Sequence, residues 1–404
     1  MTTRLALLGS TGSIGRTCLR IAAGHPGRFQ VLALAAGTQW ELLAEQVRAF
    51  RPSLVSVATD EAASALREAL AASRAPMPTI AVGEEGLRAV ATCNAADIVV
   101  SALTGGIGVV PTVAAVRAGK DVALANKEAL VIAGEIIARD VRRYRVRLLP
   151  VDSEISAIWQ CLEAGRGASI RRILLTASGG PFRDLPAERF PEITPEQALA
   201  HPTWVMGRKV SVDSATLMNK GFEVFETRWL FDMPLEKIEV LIHRESVVHS
   251  LVEYADGSII AQLGVPDMTL PIQYALTYPE RLPSPVEPLD LAAIGSLTFA
   301  PPDTARFPAL ALARHAAEVG GTMPAVLSGA DEVAVAAFLS GRLLFTDIAT
   351  LVEETMARHE STRDPSLDDV RAAERWAKAT AQSLVGSVAA AGVRGRTTPR
   401  SAAR

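Results

Sequence analysis

The sequence contains few cysteines and has no marked excess of either charge. Three cysteines in 404 residues, scattered and odd in number, exclude a disulfide framework and a zinc pattern: Cys18, Cys93 and Cys161. This usage is typical of a reducing compartment, so we expect a cytoplasmic protein. A formal net charge of −3 gives no reason to expect nucleic acid as a partner.

Long uninterrupted apolar runs are missing as well. Charged residues break the hydrophobic stretches, so we expect no membrane span, and no signal-like order of residues precedes the first predicted strand. Hydrophobic residues make up 49% and charged residues 21% of the chain, which is a globular composition. A chain of 404 residues exceeds what one core usually supports, so we predict two or three domains.

Short strand-like runs alternate with helical segments over residues 1–150. This rhythm predicts an α/β fold that starts with a Rossmann-like, doubly wound parallel sheet for nucleotide binding. A central α/β catalytic domain and a helical bundle follow. The predicted boundaries are 151–282 for the central metal-binding and dimerisation domain, about 179–208 for its lid loop, 283–305 for a proline-rich connector, 306–388 for the C-terminal helical bundle and 389–404 for a basic, disordered tail.

A glycine-rich turn follows the first predicted strand and opens the first helix. Its GxxGxxG spacing, from Gly9 to Gly15, lets a pyrophosphate approach backbone N–H groups at a helix N-terminus. The second strand ends at Gly37-Thr38-Gln39 without the acidic residue that binds the ribose of NAD. This absence favours NADP, although no basic residue for a 2′-phosphate stands there either.

Two later strand ends carry charged side chains. Lys127 either reaches a carbonyl or phosphate oxygen of a ligand or is a surface residue that begins a helix. Asp152 and Glu154 would point the same way on a strand and, with Glu223, would select magnesium or manganese. Alternatively, Asp152 or Ser153 caps the next helix. No HxxxH or CxxC pair competes for the metal.

The stretch from His201 to Glu226 places polar residues where a core would need apolar ones. Helical periodicity predicts an apolar face (Met218, Phe222, Phe225, Trp229) and a polar face (Thr216, Asn219, Lys220, Glu223). The polar face either binds a ligand or is solvated. Upstream, the loop at Ser178 resembles an anion-binding loop, and we expect the irregular segment after it to be a lid in which Trp204 covers a ligand or simply packs.

These motifs together resemble the 1-deoxy-D-xylulose 5-phosphate reductoisomerase family. The resemblance runs from Arg4 to about Val388, and its ordered segments are GSTGSIG, ALTGGIGVVPT, ANKEALV, PVDSE, TASGGPFR, HPTWVMGRKVSVDSATLMNKG and QLGVPDM. It implies conversion of that sugar phosphate to 2-C-methyl-D-erythritol 4-phosphate in the non-mevalonate isoprenoid pathway. It also implies NADPH, a divalent metal (Mg²⁺, Mn²⁺ or Co²⁺) and a homodimer formed through the central domain.

The resemblance assigns roles to residues of this chain. It implies three metal ligands, Asp152, Glu154 and Glu223, which are also catalytic together with Lys127 and His201. The substrate would contact Lys127, Ser153, Glu154, Ser178, His201, Trp204, Ser214, Asn219, Lys220 and Glu223. NADPH would lie against Thr11, Gly12, Ser13, Ile14, Gly37, Thr38, Gln39, Asn126, Glu128 and Gly207.

The chain departs from the family pattern at a few positions. Ile155 stands where the family often has histidine, Thr38-Gln39 where lysine-asparagine is frequent, and Asp331 where asparagine is common. An alternative enzyme, such as an aspartate-semialdehyde dehydrogenase, would need a nucleophilic cysteine, for which Cys161 is the candidate outside the nucleotide domain. A second alternative, a redox-sensing binding protein, would have no use for three convergent carboxylates.

Overall fold

Seven parallel strands form the first sheet of the structure, a computed structural model that describes residues 2–72 and 76–397, with side chains as far as residue 391. The strands are β1 Thr3–Leu8, β2 Phe29–Ala35, β3 Leu54–Val57, β4 Thr79–Val82, β5 Ile98–Ser101, β6 Asp121–Leu124 and β7 Leu148–Pro150. Their order is β4-β3-β2-β1-β5-β6-β7, with parallel pairing throughout. The predicted doubly wound sheet is thereby confirmed.

Helices cover both faces of this sheet because its strands are apolar on both sides. In β1, Leu5 and Leu7 belong to one buried cluster, whereas Ala6 and Leu8 belong to another. Successive side chains of a strand point to opposite faces, so a strand buried on both faces has a continuous apolar run. The helices of this region are α1 Ser13–Gly24, α2 Trp40–Phe50, α3 Asp60–Ala72, α4 Gly83–Ala91, α5 Val109–Arg117 and α6 Lys127–Tyr144.

A second, mixed sheet follows in the central region. It contains β8 Ile170–Ala177, β9 Ile238–Ile242, β10 Val248–Tyr254 and β11 Ile259–Leu263, in the order β11-β10-β8-β9. Strands β10 and β11 form an antiparallel hairpin, and Asp256-Gly257 between them is a residue pair typical of such turns. Strand β9 is a short run after a charged segment. The helices here are α7 Ser153–Gly165, α8 Pro195–Leu199, α9 Arg208–Thr216, α10 Met218–Phe231 and α11 Thr269–Thr277.

The segment predicted as a lid is anchored over most of its length. Phe182 and Phe190 are buried in the core, and their rings lie 5.2 and 5.8 Å from the ring of Phe345. Arg306 donates to the carbonyl oxygens of Phe182 and Arg183. A 3₁₀ turn at Ala187–Glu192 and α8 add regular structure. A lid would therefore be confined to residues 200–207, where the side chain of Val205 is fully exposed.

The C-terminal part is helical, as predicted. Its helices are α12 Leu291–Ile294, α13 Ala309–Val319, α14 Met323–Leu339, α15 Phe345–Met356 and α16 Leu367–Thr397. The connector is not wholly extended, because Asp290 caps α12 inside it. Ser366 and Asp369 exchange the hydrogen bonds of a capping box at the start of α16. The predicted start of a disordered tail at residue 389 disagrees with α16, which continues to Thr397; residues 398–404 lie outside the described residues.

One hydrophobic core connects regions that we predicted as separate domains. Leu130 in α6, Phe222 in α10 and Phe338 in α14 belong to the same buried cluster. The predicted domain boundaries therefore mark changes of secondary structure. That the regions between them are independent units remains a prediction. Among the described residues, no helix has the length and apolar character needed to cross a membrane.

Candidate active site

A cavity of about 360 Å³ opens at the carboxyl ends of β1, β5, β6 and β7. The glycine turn after β1, the N-terminus of α6 and the N-terminus of α7 form one wall. Segment 201–207, α9 and α10 form the opposite wall. In open α/β sheets, ligands bind at this edge, where the strand order reverses beside β1.

Three carboxylates converge in this cavity: Asp152, Glu154 and Glu223, here called the acidic triad. Each offers an oxygen, and these oxygens lie within 4.8 Å of one another. Glu223 lies in the middle of α10 and is fully buried. Oxygen donors so close together repel one another unless a cation offsets their charge, and hard oxygen ligands suit Mg²⁺ or Mn²⁺. The donor set therefore fits a divalent metal.

The local structure around Asp152 contradicts the strand prediction and agrees with the alternative that a helix begins there. Strand β7 ends at Pro150, so Asp152 and Glu154 do not alternate on a strand. Asp152 occupies the N-cap position of α7, but no backbone N–H among the described residues donates to its side chain there. Glu154 lies in the first turn of the helix. The turn from strand to helix, rather than strand periodicity, aims both carboxylates at Glu223.

Two buried lysines neutralise much of the charge of the acidic triad. Lys127 Nζ lies 2.5 Å from Asp152 Oδ2 and 3.2 Å from Glu223 Oε1. Lys220 Nζ lies 3.2 Å from Glu154 Oε1 and also pairs with Glu223. The surface alternative for Lys127 is thus wrong, because this residue is only 9% exposed, and Lys220 at 4% exposure is not part of a solvated face.

Burial and pairing shift the acids of the triad in different directions. Burial, together with repulsion from Glu154, raises the pKa of Glu223 to about 7. Burial opposes ionisation of Glu154 too, but Lys220 and Ser153 outweigh it and hold its pKa at about 2. Burial raises the pKa of Asp152. The triad therefore combines a permanently charged carboxylate with one that ionises near neutrality, an arrangement typical of functional sites.

A break between α9 and α10 directs the polar face of this segment into the cavity. We predicted one continuous helix, but Leu217 adopts a left-handed conformation with φ +66°. A branched side chain rarely adopts that conformation, which costs about 1–3 kcal/mol and is typical of functional sites. Asn219, one turn ahead of Glu223, donates to Glu223 Oε1 at 2.5 Å and accepts from Lys127 at 2.8 Å.

Neutral donors form the other end of the cavity. His201 Nδ1 accepts from the backbone N–H groups of Thr203 and Trp204, so its Nε2 carries the proton and donates to Ser178 Oγ at 3.0 Å. Burial, with the nearby Arg183, lowers the pKa of His201 and favours this neutral form. Ser178 Oγ also accepts from Gly180 N–H, which leaves its own proton for a ligand. Ser214, Asn219 and Lys220 line the same space.

The residues predicted to bind NADPH occupy different positions relative to this cavity. Gly12, Ser13, Ile14, Glu128 and Gly207 line it. Thr11 and the exposed Gly37, Thr38 and Gln39 lie outside its lining, at the ends of β1 and β2. Asn126 is buried behind the wall and donates to Glu128, while its Oδ1 has no partner among the described residues.

The glycine turn itself fits a nucleotide. Gly9 has φ +85°, and a Cβ atom there would lie 2.4 Å from the carbonyl oxygen of Ala102. Gly12 stands at the N-cap of α1, where no side chain among the described residues caps the helix. Its first-turn N–H groups are therefore available to an anion such as a pyrophosphate.

A second cluster of buried charge adjoins the cavity, and the sequence analysis missed it. In this Lys209 cluster, Lys209 Nζ lies 2.6 Å from Asp213 Oδ2, 2.8 Å from Asp331 Oδ2 and 4.0 Å from Glu128 Oε1. The i,i+4 spacing of Lys209 and Asp213 was a visible signal. Asp331, however, lies 122 positions further along the chain from Lys209, so periodicity could not reveal it.

His243, also missed, lines the cavity and is fully buried. Its Nδ1 lies 2.9 Å from the carbonyl oxygen of Thr298, and its Nε2 accepts from the N–H groups of Val247 and Val248. The ring is thereby held as the Nδ1–H tautomer and ties the connector to the cavity wall.

Two further residues decide between alternatives. Cys161 is buried in the core away from the cavity, and burial raises the pKa of its thiol to about 11. A thiol in that state is a poor nucleophile, which counts against the semialdehyde dehydrogenase alternative. Ile155 is fully buried in the same core, so its side chain makes no polar contact with a ligand.

Fold and site together define a class of protein, the dinucleotide-dependent oxidoreductases with a carboxylate metal site. Comparison with known families is more specific. A family model of 1-deoxy-D-xylulose 5-phosphate reductoisomerase matches residues 5–134. A model of the C-terminal domain of this enzyme matches residues 148–231, and a second C-terminal domain model matches residues 263–380. The chain belongs to the 1-deoxy-D-xylulose 5-phosphate reductoisomerase family.

Curated relatives and solved structures agree with this membership. The reductoisomerase of Geobacter metallireducens is 55% identical over 95% of this chain and 99% of its own length, and that of Prosthecochloris aestuarii is 54% identical over 94% and 99%. The Zymomonas mobilis enzyme in complex with NADPH has a TM-score of 0.88 at 42% identity, covering 96% of this chain and 100% of its own. A reductoisomerase in complex with NADPH, fosmidomycin and magnesium has a TM-score of 0.89 at 38% identity, covering 95% and 98%.

Proposed function

We propose that this cavity converts 1-deoxy-D-xylulose 5-phosphate to 2-C-methyl-D-erythritol 4-phosphate with NADPH and a divalent metal. This is the reaction of the family to which the chain belongs, a step of the non-mevalonate isoprenoid pathway. The observation that carries the proposal is the convergence of the acidic triad within 4.8 Å, in a cavity that also contains the glycine turn. A related structure holds NADPH, fosmidomycin and magnesium together.

The acidic triad would hold the metal, which is Mg²⁺, Mn²⁺ or Co²⁺ in this proposal. A bound divalent cation stabilises negative charge that develops on carbonyl and hydroxyl oxygens of a substrate. Lys127 adds a second positive group, because its ammonium lies between Asp152 and Glu223 at the cavity wall. Ser153, Glu154 and Trp204 would contact the sugar backbone.

The chemistry requires rearrangement of the carbon chain before reduction. The C4 hydroxyl proton would pass to a base, and the C3–C4 bond would break with its electron pair left on the C2–C3 fragment as an enediolate. Carbon C2 of that fragment would then add to the C4 aldehyde, as in an aldol addition, which leaves C3 as the new aldehyde. Lys127 Nζ can donate a hydrogen bond to the oxyanion at each stage, and the Nε2–H of the neutral His201 can hold a substrate oxygen. NADPH then delivers hydride to the branched aldehyde.

The phosphate would lie among Ser178, Ser214, Asn219 and Lys220. Three of these side chains are neutral donors and one is a buried ammonium, a combination that suits a dianion. Binding energy from this remote group orients the reacting carbons and so lowers the barrier of the chemical step. Segment 200–207 would close over the ligand, with Trp204 as its apolar cover.

NADPH would lie on the glycine turn, with Gly12, Ser13 and Ile14 at the pyrophosphate. The adenosine end would extend to Gly37, Thr38 and Gln39 beyond β2, where no acid opposes a 2′-phosphate. Glu128 and Gly207, which line the cavity, would contact NADPH further along, and Asn126 would act from behind the wall through its hydrogen bond to Glu128. Preference for NADPH over NADH in one assay would support this placement, and a preference for NADH would overturn it.

We also propose a cytoplasmic homodimer formed through the central region. Strand β11 lies at the edge of the second sheet and exposes Ile259, and open strand edges pair readily with another copy. Light scattering of the purified chain gives the mass directly. A monomer at all concentrations would contradict the dimer.

The proposed activity is tested by mixing wild-type protein, NADPH and 1-deoxy-D-xylulose 5-phosphate with Mg²⁺ or Mn²⁺. We expect oxidation of NADPH, formation of 2-C-methyl-D-erythritol 4-phosphate and loss of both on adding a chelator. Absence of turnover under these conditions would overturn the proposal. Turnover that a chelator leaves unchanged would remove the metal from it.

A further inference from the structure

We propose that Lys220 couples metal binding to phosphate binding, because its single ammonium group serves both sites. The proposal rests on the proposed function of the cavity and goes beyond it. Metal and phosphate would each raise the affinity of the protein for the other. Lys220 would then be a positioning residue that links two subsites, in addition to being a phosphate donor.

The geometry places Lys220 inside the metal site as much as beside the phosphate pocket. Its Nζ lies 3.2 Å from Glu154 Oε1 and pairs with Glu223, so it contacts two of the three triad carboxylates. The residue is 4% exposed, so water cannot replace these contacts easily. Its side chain also lines the cavity together with Ser178 and Ser214, the neutral donors of the anion pocket.

The charges of the cavity explain why the two ligands need each other. With all three carboxylates ionised, as a bound metal requires, they face two ammonium groups, Lys127 and Lys220, and the cluster is short of one positive charge. A divalent cation reverses this balance and repels Lys220 from Glu154 and Glu223 at close range. A phosphate dianion accepts the displaced ammonium and restores the balance. Without the cation, the same dianion would add to an existing excess of negative charge.

This exchange makes a testable thermodynamic statement. The metal displaces Lys220 from its carboxylates, and the anion binds the lysine that is displaced. By thermodynamic linkage, the metal and the anion must then increase the affinity of the protein for each other by the same factor. Lys220 also competes with the metal for Glu154 and Glu223. Removal of the Lys220 ammonium should therefore strengthen metal binding in the absence of phosphate.

The experiment measures the Mn²⁺ affinity of the full-length chain from the electron paramagnetic resonance signal of free Mn²⁺. The affinity is measured with and without inorganic phosphate and is corrected for Mn²⁺ that phosphate binds in solution. Sulfate, a dianion that complexes Mn²⁺ more weakly, is tested in the same way. For the wild type we expect saturating anion to tighten Mn²⁺ binding about tenfold. For Lys220→Met we expect tighter binding without anion than in the wild type, and no further effect of anion. An anion effect retained in Lys220→Met, or weaker Mn²⁺ binding in this variant without anion, would overturn the proposal.

Two variants serve as controls. Lys220→Arg keeps the charge and should keep most of the anion effect. Lys209→Met removes a buried lysine that also pairs with two carboxylates but lies outside the acidic triad, so it should leave the anion effect unchanged. Circular dichroism and thermal unfolding verify that each variant is folded.

The wild-type measurement decides the proposal even if a variant fails to fold. Mn²⁺ that binds with an affinity independent of both anions would refute the coupling and leave the proposed function intact. A chain that binds no Mn²⁺ at all would refute the metal site of the proposed function instead.

Discussion

The acidic triad with its two lysines and the Lys209 cluster are built from the same groups, and both include a residue at the start of α6. Each joins buried carboxylates of distant segments to lysine, and each has more carboxylates than ammonium groups. In the triad, the carboxylate oxygens approach one another to within 4.8 Å beside the cavity. In the Lys209 cluster, Asp213 and Asp331 approach one central nitrogen, at 2.6 and 2.8 Å.

The difference shows what distinguishes a ligand site from a structural ion cluster. Lys209 is the cation of its own cluster and fastens α9 to α14 through Asp331, which does not line the cavity. Asp213 Oδ1 and Asp331 Oδ1 are buried without a partner among the described residues. Lys209, Asp213 and Glu128 also line the cavity, but the carboxylates of their cluster converge on the lysine nitrogen, whereas the triad oxygens lie within 4.8 Å of one another. Burial and perturbed pKa values occur in both clusters, so the discriminating feature is whether the carboxylates converge on one another or on a lysine.

The largest expected effect comes from removing one charge of the triad. We expect Glu223→Gln to reduce turnover about a thousandfold, because the amide weakens metal binding and the electrostatic stabilisation that depends on it. The affinity for NADPH should change by less than about twofold, since Glu223 lies on α10 and the glycine turn opens α1. Steady-state kinetics and fluorescence titration of NADPH measure the two quantities. A collapse of NADPH affinity would show that α10 is misplaced.

Sequence patterns predicted the first sheet and the individual site motifs well. Parallel strands buried on both faces have continuous apolar runs, and the turn from Gly9 to Gly15 has a local signature. The residues alone proposed Asp152, Glu154 and Glu223 as metal ligands, and the family resemblance assigned the same three. The strand alternation predicted for Asp152 and Glu154 was wrong, whereas the alternative placed the start of the next helix correctly.

Long-range partners could not be predicted from the residues. The left-handed Leu217 carries no sequence signal, since it is stabilised by packing around it and glycine would be the expected residue there. Asp331 faces Lys209 only because α14 packs against α9. The predicted lid includes Phe182 and Phe190, and nothing in the sequence indicated that both are buried in a core formed by residues far along the chain.

The second prediction concerns the structural cluster. Lys209→Met leaves Asp213 and Asp331 buried without their cation, and we expect a loss of about 3 kcal/mol in the free energy of unfolding. Denaturant unfolding measures this loss. Metal affinity should stay close to that of the wild type under conditions where the variant is folded. A stable variant that no longer binds Mn²⁺ would erase the distinction between the two clusters.

The third prediction concerns Asp331→Asn, a milder change in the Lys209 cluster. Burial, together with repulsion from Asp331, raises the pKa of Asp213 well above its ordinary range. A carboxyl group whose pKa is raised in the folded state costs stability as pH rises through that pKa. Asp331→Asn removes the repulsion that helps to raise the pKa of Asp213, so it should remove part of this cost. We expect the variant to be more stable than the wild type by about 1 kcal/mol at pH 9, with a smaller difference at pH 5. Equal shifts at both pH values would exclude this explanation.

The smallest expected effect is a proton released by the triad. Because burial raises the pKa of Glu223 to about 7, its ionisation costs stability as pH rises through that value, and metal binding requires the ionised form. Mn²⁺ affinity should therefore increase with pH up to about 7 and then level off. Glu154, with a pKa of about 2, contributes nothing over this range. Calorimetry in two buffers of different ionisation enthalpy counts the proton, and Glu223→Gln should release none.

The most direct test of the central claim is the number of Mn²⁺ ions bound per chain in three proteins. We predict one tightly bound ion in the wild type, one in Asp331→Asn and a strongly weakened site in Glu223→Gln. Equilibrium dialysis with NADPH binding as the folding control provides this count. Unchanged Mn²⁺ binding in Glu223→Gln, or its loss in Asp331→Asn, would contradict the assignment of the metal to the acidic triad.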